Sequence, residues 1–384
     1  MGAIGRSVAG RLWGRFHHHR VSVSALRPLF IAPYGDFGGS ESVLLKLIEA
    51  LGDRLDPSAV VMRAGTLAAR LREADVPTEV VDLPGRLSMP RIPATAARLA
   101  ERYAETGLSF IHANGLKAAV LGVPLARRLG VPLVWMKHDH AYEGPLTRLV
   151  AARCERVICV SHTMAELLGA DLAERVSVVY PGIDLDPRSP SARTELLVMS
   201  AGRLDPRKAF RTLIDAVALL HEDGCKAQLV IAGLEYPPAP RHGEELRRHA
   251  QRIGIGDTTH IGRVDDISHE YRRARVVAVT SKKLRGRPAE GAPLVLMEGM
   301  SHGRPAVGPE EGGVREVVGE AGTLVAERTP RGYADALRKY LDDPKMALDV
   351  GRLGRRRAEE RFAFDRMVTG VAAAYDEVAR ARST

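Results

Sequence analysis

Cysteines and long apolar runs are both scarce in this sequence of 384 residues. The three cysteines, Cys154, Cys159 and Cys225, are odd in number and include no C-x-x-C pair. We therefore expect free thiols in a reducing cytoplasm, without a disulfide framework or a structural zinc site. No apolar stretch approaches the roughly 18 residues of a membrane-spanning helix, and no repeat has solenoid spacing. These absences argue against disulfide scaffolds, membrane-spanning proteins and repeat arrays.

Acidic residues are absent before Asp36, although basic residues are common there. The arginines of this stretch are Arg6, Arg11, Arg15, Arg20 and Arg27. Apolar residues recur every fourth position from Ile4 to Phe16, as on one face of an amphipathic helix. Two interpretations of residues 1–27 stay open: a basic helix in peripheral contact with the inner face of an anionic membrane, and a disordered extension.

The overall composition is that of a soluble globular enzyme. Hydrophobic residues make up 45% of the chain and charged residues 27%, and the length suffices for two domains of ordinary size. The formal net charge of +9 suits an acidic acceptor or a membrane surface without selecting either. We expect no nucleic-acid partner.

Strand-like and helical segments alternate along the chain, which predicts doubly wound parallel α/β sheets. The first set of strands covers residues 29–33, 59–62, 79–83, 110–112, 133–136 and 157–160, with helices at 42–51 and 116–129. After a polar break at residues 187–191, a second set covers 196–200, 228–232, 276–280 and a short strand near Ala306. Two such units would place their strand ends face to face across a cleft.

Residues 290–298 place two carboxylates around a predicted helix start. Gly291 permits a sharp turn, and Pro293 suits the first helical position. The N–H groups at such a helix start attract anions. Glu298 falls roughly 7–8 Å along the helix from its start, about the span from a diphosphate to the ribose of a nucleotide. The segment predicts a nucleotide-sugar site, with two unrelated glutamates as the simpler alternative.

A second phosphate-binding element is predicted upstream. Residues 196–202 have the pattern of a buried strand, Arg203 follows its end, and Lys208 precedes a helical segment. Open α/β sheets bind ligands at the carboxyl ends of their strands. A guanidinium fork and a lysine charge together suit phosphate oxygens. The alternative is two solvated basic residues at a helix start.

Five segments carry a family resemblance. They are Phe37-Gly38-Gly39-Ser40-Glu41, Pro181-Gly182-Ile183-Asp184, Gly202-Arg203-Leu204 with Lys208, Glu290 and Glu298 in E-x7-E spacing, and Gly312-Gly313-Val314-Arg315-Glu316-Val317-Val318. In type and order they resemble the retaining glycosyltransferases of the GT-B fold, glycosyltransferase family four. The resemblance extends from about residue 28 to the end of the chain.

The resemblance implies a GT-B fold of two Rossmann-like domains. Residues 28–186 would bind the acceptor, residues 187–362 would bind a nucleotide sugar, and a helix in residues 363–384 would cross back to the first domain. The implied reaction moves a hexosyl unit from a UDP- or GDP-sugar to a hydroxyl group with retention at the anomeric carbon. Retention by attack from the face of the departing phosphate needs no protein nucleophile, unlike retaining hydrolases.

The resemblance also assigns roles to individual residues. Catalytic roles fall to His138, Arg203, Lys208 and Glu290. Glu290 would hold sugar hydroxyls, Glu298 the nucleotide ribose, and His138, at the end of a strand, the donor sugar. The implied donor-binding set is Gly38, Gly39, Arg203, Lys208, Gly233, Arg263, Val264, Glu290, Gly291, Ala292, Pro293, Leu294, Val295 and Glu298. In departure from the family, Ala209 replaces a glycine, and Thr280-Ser281 stands where Pro-Ser is usual.

No cofactor and no metal are expected. The departing diphosphate carries negative charge, which either a divalent ion or fixed protein cations can stabilise. Arg203, Lys208, the amides after Gly291 and the Gly38-Gly39 turn could supply the second route. The chain has one D-x-D sequence, Asp184-Leu185-Asp186, which we assign to the interdomain hinge.

The sequence does not identify the acceptor, because the first-domain loops at residues 85–92 and 142–145 match no known pattern. Cell-envelope polysaccharide or glycolipid synthesis is the expected role. The alternative is glycosylation of a small secondary metabolite, such as an aminoglycoside-type product, from a dTDP-sugar. From other classes, a nucleotide-sugar epimerase and a non-catalytic sugar-binding protein stay open.

Overall fold

The computed structural model describes residues 25–35, 38–83, 90–138, 140, 144–236, 239–283, 288 and 290–382. The basic segment 1–24 and most of the two predicted acceptor loops lie outside these ranges. The described chain forms two parallel α/β sheets flanked by helices. The predicted fold class is confirmed.

The first sheet has seven parallel strands in the order β3-β2-β1-β4-β5-β6-β7. Its strands are β1 (Pro28–Ala32), β2 (Ser58–Val61), β3 (Thr78–Val80), β4 (Phe110–Asn114), β5 (Leu133–Lys137), β6 (Arg156–Cys159) and β7 (Val176–Val178). The strand order reverses between β1 and β4. The carboxyl ends of these two strands therefore flank the crevice where open α/β sheets bind ligands.

The second sheet has six parallel strands in the order β10-β9-β8-β11-β12-β13. Its strands are β8 (Leu197–Ala201), β9 (Gln228–Ala232), β10 (Thr259–Gly262), β11 (Val276–Ala278), β12 (Ala306–Pro309) and β13 (Gly322–Val325). The order reverses between β8 and β11, so this sheet has its own crevice at the end of β8.

Fourteen α-helices within the described residues cover the two sheets and join them. In the first half they are α1 (Gly39–Leu51), α2 (Thr66–Glu73), α3 (Ile92–Tyr103), α4 (Leu116–Leu129), α5 (Pro145–Ala151) and α6 (His162–Glu166). In the second half they are α7 (Phe210–Glu222), α8 (His242–Arg252), α9 (Ile267–Arg273), α10 (Leu294–Ser301), α11 (Gly312–Val318), α12 (Pro330–Asp342), α13 (Pro344–Arg357) and α14 (Phe364–Ala381).

Strand position explains which strands the sequence predicted. The central strands β1, β4, β5 and β8 are buried along their whole length and are mainly apolar. Their polar residues are His112, Asn114, Lys137 and Ser200. The edge strands β7, β10 and β13 are only partly buried and short, and the sequence did not predict them. The fourth edge strand, β3, ends at Val80, although the prediction continued to residue 83. An edge strand needs no long apolar run because one side has no neighbouring strand.

The last helix, α14, packs against the first sheet although it follows the second in sequence. Met367, Val371 and Tyr375 are buried in one cluster with Phe30 and Phe110 of the first sheet. The Tyr375 hydroxyl lies 2.8 Å from Nδ1 of buried His112 on β4. The chain therefore returns to the first sheet at its end and ties the two halves together.

All three cysteines are free, as the sequence predicted. Cys154 and Cys159 are buried, and Cys225 is half-buried. Burial raises the pKa of the Cys154 thiol to about 12, so that thiol is not a nucleophile at neutral pH. Within the described ranges, no helix combines the length and apolarity that a bilayer crossing requires.

Candidate active site

The predicted donor-binding residues gather at the carboxyl edge of the second sheet. Arg203 follows β8, Gly233 follows β9, and Arg263 and Val264 follow β10. Gly233 must be glycine here, because a β-carbon at this position would overlap the carbonyl oxygen of Gly202. Arg263 is exposed, whereas Val264 packs against the core of this half. The parallel register thus brings residues 30 positions apart to one edge.

The first sheet contributes Gly38, Gly39 and His138. Gly38 is the N-cap of α1, Gly39 is its first residue, and His138 directly follows β5. A β-carbon on Gly39 would lie 3.0 Å from Cδ1 of Leu294, the first residue of α10. The glycine turn of the first half therefore lies directly against the helix start of the second.

Three backbone segments meet at Gly291. A β-carbon on Gly291 would overlap the carbonyl oxygen of His138 and lie 2.9 Å from Cε of Met164. A β-carbon on Gly313, at the start of α11, would in turn overlap the carbonyl oxygen of Gly291. Only glycine allows these approaches. The turn before α10 is thus held between α11 and the end of β5.

The helix start at this turn differs by one residue from the prediction. Pro293 is the N-cap, with extended backbone (φ −74°, ψ 104°), and α10 begins at Leu294. The Pro293 carbonyl accepts hydrogen bonds from the N–H groups of Leu296 at 3.1 Å and Met297 at 3.3 Å. The prediction of Pro293 inside the helix was wrong because the fixed φ of proline suits either position.

Lys208 and Glu290 form an ion pair in the crevice. Lys208 Nζ donates to Glu290 Oε1 at 2.6 Å, and the Ser281 hydroxyl donates to the same oxygen. Burial alone would raise the pKa of Glu290, but the charge and hydrogen bond of Lys208 and the bond from Ser281 hold it below its usual value. Glu290 is therefore a carboxylate at neutral pH and accepts hydrogen bonds.

The backbone is strained at Ala209, directly after Lys208. Ala209 has a left-handed conformation (φ 51°, ψ 37°), which L-residues other than glycine rarely adopt. The Thr280 hydroxyl lies within hydrogen-bonding distance of the carbonyl oxygens of Lys208 at 3.0 Å and Ala209 at 3.1 Å. Gly202, with φ of 148°, lies beneath the Lys208 side chain. The unusual alanine thus occupies a position where the backbone favours glycine.

Arg203 lies over an aromatic ring. Its guanidinium carbon is 4.9 Å from the ring centroid of Tyr236, and that of Arg207 is 5.9 Å from the same ring. A guanidinium over an aromatic face is attracted by the ring quadrupole. Arg203 is itself exposed and its charge reaches buried Glu41 on α1. A phosphate that binds here would contact a guanidinium that is packed on the ring of Tyr236.

Glu298 is held by a buried tyrosine. The Tyr271 hydroxyl donates to Glu298 Oε2 at 2.7 Å, and the Tyr271 ring stacks on His302 at 5.2 Å between centroids. Burial raises the pKa of Glu298 above its usual value, against the lowering effect of the bond from Tyr271. One carboxylate oxygen of Glu298 is therefore fixed by the protein.

His138 also has a defined partner. Its Nε2 lies 2.6 Å from Oδ1 of Asn114, the last residue of β4. Asn114 is 2% exposed, and its Nδ2 donates to the Ser40 carbonyl on α1 at 3.4 Å. His138 is thus connected through Asn114 to the glycine turn of the first half.

The D-x-D carboxylates point to different partners. Asp184 pairs with Lys46 of α1 at 2.6 Å, whereas buried Asp186 lies 3.4 Å from His302 Nε2 and 4.0 Å from Arg272. In the part of the chain that the structure describes, no group of three or more His, Cys, Asp or Glu side chains could hold a metal ion.

Sequence reasoning missed the residues that hold the charged groups. These are Asn114, Tyr236, Tyr271 and Ser281. For Ser281 a signal existed, because Thr280-Ser281 is a noted departure from the family pattern. The other three lie far in sequence from the groups they contact, and no spacing connects them.

Two family models together match most of the chain. The family described as "Glycosyltransferase Family 4" matches residues 37–187, and "Glycosyl transferases group 1" matches residues 195–343. Among curated relatives, a D-inositol 3-phosphate glycosyltransferase of Frankia alni is 31% identical over 64% of this chain and 69% of its own length. A protein of the same name from Streptomyces avermitilis is 28% identical over 91% of this chain and 85% of its own.

Solved structures show the same architecture. HepE of Anabaena, in complex with UDP and glucose, superposes with a TM-score of 0.77 at 22% identity, over 92% of this chain and 100% of its own. Sucrose-phosphate synthase of Thermosynechococcus elongatus gives 0.73 at 20% identity, over 93% and 100%. The fold is therefore that of the GT-B glycosyltransferases.

The fold, the family models and the curated relatives identify a glycosyltransferase. The chain belongs to glycosyltransferase family four, as the sequence resemblance predicted, and it is an enzyme. An epimerase or a non-catalytic sugar-binding protein, the alternatives that the sequence left open, is accordingly set aside.

Proposed function

We propose that this enzyme transfers a hexosyl unit from a nucleoside-diphosphate sugar to a hydroxyl acceptor, with retention and without a divalent ion. The pair of Lys208 and Glu290 is the observation that carries the proposal, because it sets a cation for phosphate beside a carboxylate for sugar hydroxyls. UDP is the first nucleotide to test, since HepE of Anabaena binds it, and GDP is the second.

The charges of the crevice suit the departing diphosphate. Breaking the bond between the anomeric carbon and the phosphate oxygen leaves both electrons on that oxygen. Lys208, Arg203 and the amides at the start of α10 stabilise this charge. The acceptor hydroxyl oxygen forms its bond to the anomeric carbon from the same face, and its proton passes to the departing phosphate oxygen. This route forms no covalent bond to the protein.

Other residues orient the donor. Glu290 accepts hydrogen bonds from hydroxyls of the donor sugar, and Glu298 accepts them from the ribose. His138, on the first half, contacts the sugar from the opposite side of the crevice. Gly291 allows this arrangement because, without a side chain, it lets the turn before α10 lie against the backbone of His138.

The acceptor we propose is a lipid-linked or polymeric glycan of the cell envelope, reached from the cytoplasmic face. The basic residues 1–27 would support peripheral contact with an anionic membrane. A second candidate is a small phosphorylated polyol. It is favoured by the curated relatives, which are named for D-inositol 3-phosphate.

Thermal unfolding with a panel of UDP-, GDP- and dTDP-hexoses tests the donor, since a ligand that binds only the native state raises Tm. Turnover of the best donor is then measured with lipid-linked glycan primers and with inositol phosphates, with and without EDTA. NMR of the product gives the anomeric configuration. We expect retention, one preferred donor, and equal rates with and without EDTA.

Specific results contradict each part of the proposal. Inversion at the anomeric carbon would contradict attack from the same face. Turnover that is lost in EDTA and restored by manganese would contradict metal independence. Absence of a Tm shift with every nucleotide sugar removes the donor assignment. Turnover of an inositol phosphate but of no glycan primer selects the second acceptor.

A further inference from the structure

Asn114 connects two parts of the candidate site that come from different elements. It ends β4, it is 2% exposed, and it is the only asparagine in the chain. One end of its amide reaches the Ser40 carbonyl on α1, and the other reaches His138 after β5. A buried amide with both ends bonded has a fixed orientation.

The orientation of the amide determines where the imidazole carries its proton. The Ser40 carbonyl can only accept, so the Asn114 nitrogen faces it at 3.4 Å. The Asn114 oxygen then faces His138 Nε2 at 2.6 Å, and an amide oxygen also only accepts. His138 Nε2 must therefore be the protonated nitrogen in this arrangement.

Asn114 supplies a neutral oxygen, whereas a carboxylate at this place would favour a second proton on the imidazole. His112, two residues before Asn114 on β4, is one titratable group close to His138. Burial and the proximity of His138 lower the pKa of His112 to about 3, so His112 is neutral at neutral pH.

We propose that Asn114 is a positioning residue, which keeps a proton on Nε2 of His138 and fixes the plane of its ring toward the donor sugar. The inference rests on the proposed role of His138 as a sugar contact. It adds that the side-chain amide of Asn114 fixes the position of His138, which follows β5, relative to the glycine turn at the start of α1.

The tautomer is measured directly on the full-length wild-type protein. Histidine labelled with nitrogen-15 gives separate long-range correlations for the two neutral tautomers, and the His138→Ala variant assigns the signal among the 13 histidines. Asparagine labelled with nitrogen-15 gives one side-chain amide, because Asn114 is unique. We expect Nε2–H for His138 and slow hydrogen exchange for the Asn114 amide. A His138 that carries its proton only on Nδ1 near pH 7 overturns the inference without any activity measurement.

Two substitutions then test the consequence for turnover. Asn114→Ala removes the acceptor, and we expect kcat to fall about tenfold while nucleotide affinity is unchanged, because the nucleotide binds the other half of the molecule. Asn114→Asp keeps the shape but adds a charge, which raises the pKa of His138. We expect its turnover to be low at neutral pH and to recover as pH rises. Thr323→Val, which removes a hydrogen bond to Tyr340 at the edge of the second sheet, is the control for lost packing.

The outcomes separate this inference from the proposed function. If His138→Ala keeps full turnover, the role of His138 as a sugar contact is wrong. If His138→Ala is inactive while Asn114→Ala has wild-type kcat and tautomer, only the inference is wrong. An Asn114→Asp profile that matches the wild type at every pH also contradicts it.

Discussion

Glu316 on α11 accepts a hydrogen bond from the hydroxyl of Tyr180, which follows the last strand of the first sheet. The same carboxylate accepts bonds from the backbone N–H of His162 at 2.8 Å and of Thr163 at 3.1 Å, at the start of α6. One side chain of the second half thus binds two segments of the first. Because α11 also backs the turn at Gly291, these bonds help hold the two halves of the site together.

Replacing Glu316 by Gln should loosen this contact. The amide leaves the hydrogen bond of at least one donor unmade, and each bond to a charged group is worth about 1.5–3 kcal/mol. We expect a loss of about 2 kcal/mol in the free energy of unfolding and at least a tenfold loss in kcat/KM. Glu310→Gln is the control, because Glu310 forms an exposed pair with Arg315 at 3.0 Å, and such pairs contribute at most about 1 kcal/mol.

The effect of Glu316→Gln should depend on pH. Burial opposes ionisation of Glu316, but the bonds from Tyr180, His162 and Thr163 outweigh it and lower its pKa. A lowered carboxyl pKa stabilises the fold fully above the unfolded value, which is about 4.3, and that stability is lost as pH falls through the folded pKa. The Tm difference between wild type and variant should therefore shrink below about pH 4. A difference that stays constant from pH 7 to pH 3 contradicts this explanation.

The pair of Lys208 and Glu290 should behave differently in stability and in catalysis. Lys208→Met leaves the half-buried Glu290 beside Ser281 without its cation, and stranding a buried charge costs at most about 3–5 kcal/mol. Glu290→Gln in the same chain removes the stranded charge, so the double variant should regain most of the lost stability. Neither Lys208→Met nor the double variant should regain turnover, because the phosphate and the sugar lose their charged partners. We expect at least a hundredfold loss in kcat/KM for both.

Chemical unfolding and steady-state kinetics on the two single variants and the double variant measure this coupling. Lys226→Met serves as the control, since Lys226 is exposed and donates a hydrogen bond to the carbonyl of His221. Additive stability losses at 208 and 290 would show that the two side chains do not interact in solution.

Much of the fold follows from the sequence because the central parallel strands are mainly apolar. The predicted strand at residues 228–232 coincides with β9, and the predicted helix at 116–129 coincides with α4. Edge strands such as β10 and β13 carry no comparable pattern, because only one residue of each strand is fully buried. Their existence depends on a neighbouring strand that pairs with them, which a local window does not contain.

The residues of the candidate site also fall into those that the sequence predicts and those that only the structure shows. Charged residues such as Lys208 and Glu290 stand in motifs of fixed spacing, so the sequence predicts their presence at one sheet edge. Their partners depend on which segments the fold brings together. Tyr271 lies 27 positions from Glu298, and Tyr180 lies 136 positions from Glu316. No local pattern connects such pairs, so the structure is needed to find them.

Ala209→Gly should stabilise the protein. Ala209 has φ of 51°, and the left-handed conformation costs an L-residue roughly 1–2 kcal/mol. Glycine has no such cost, although its freer unfolded chain takes back about 0.4–1 kcal/mol. We expect a net gain of about 0.5–1 kcal/mol in the free energy of unfolding, measured with urea. Asp75→Gly is the matched control, because Asp75 has φ of 59° but aspartate tolerates this region better. A loss of stability in Ala209→Gly would show that the alanine methyl packs favourably.

Glu298→Gln should raise stability at neutral pH while weakening nucleotide binding. Burial raises the pKa of Glu298, so the folded state disfavours the carboxylate relative to the unfolded chain. A raised carboxyl pKa costs nothing below the unfolded value, which is about 4.3, and the cost grows as pH rises through the folded pKa. The amide avoids that cost and can still accept the bond from Tyr271. The variant should therefore have a higher Tm than the wild type at pH 7, and an equal Tm near pH 4.

Nucleotide affinity should change in the opposite direction. The ribose hydroxyls would donate to an amide oxygen in place of a carboxylate, and the loss of a charged acceptor should weaken binding about tenfold, or about 1.4 kcal/mol. Titration calorimetry with the nucleoside diphosphate at pH 7 measures this. Glu270→Gln is the control, because Glu270 pairs with Arg273 on α9 at 3.0 Å and is assigned no role in donor binding. Unchanged affinity in Glu298→Gln would remove Glu298 from the nucleotide site, whereas a Tm below the wild type at pH 7 would show that its carboxylate has a stabilising partner.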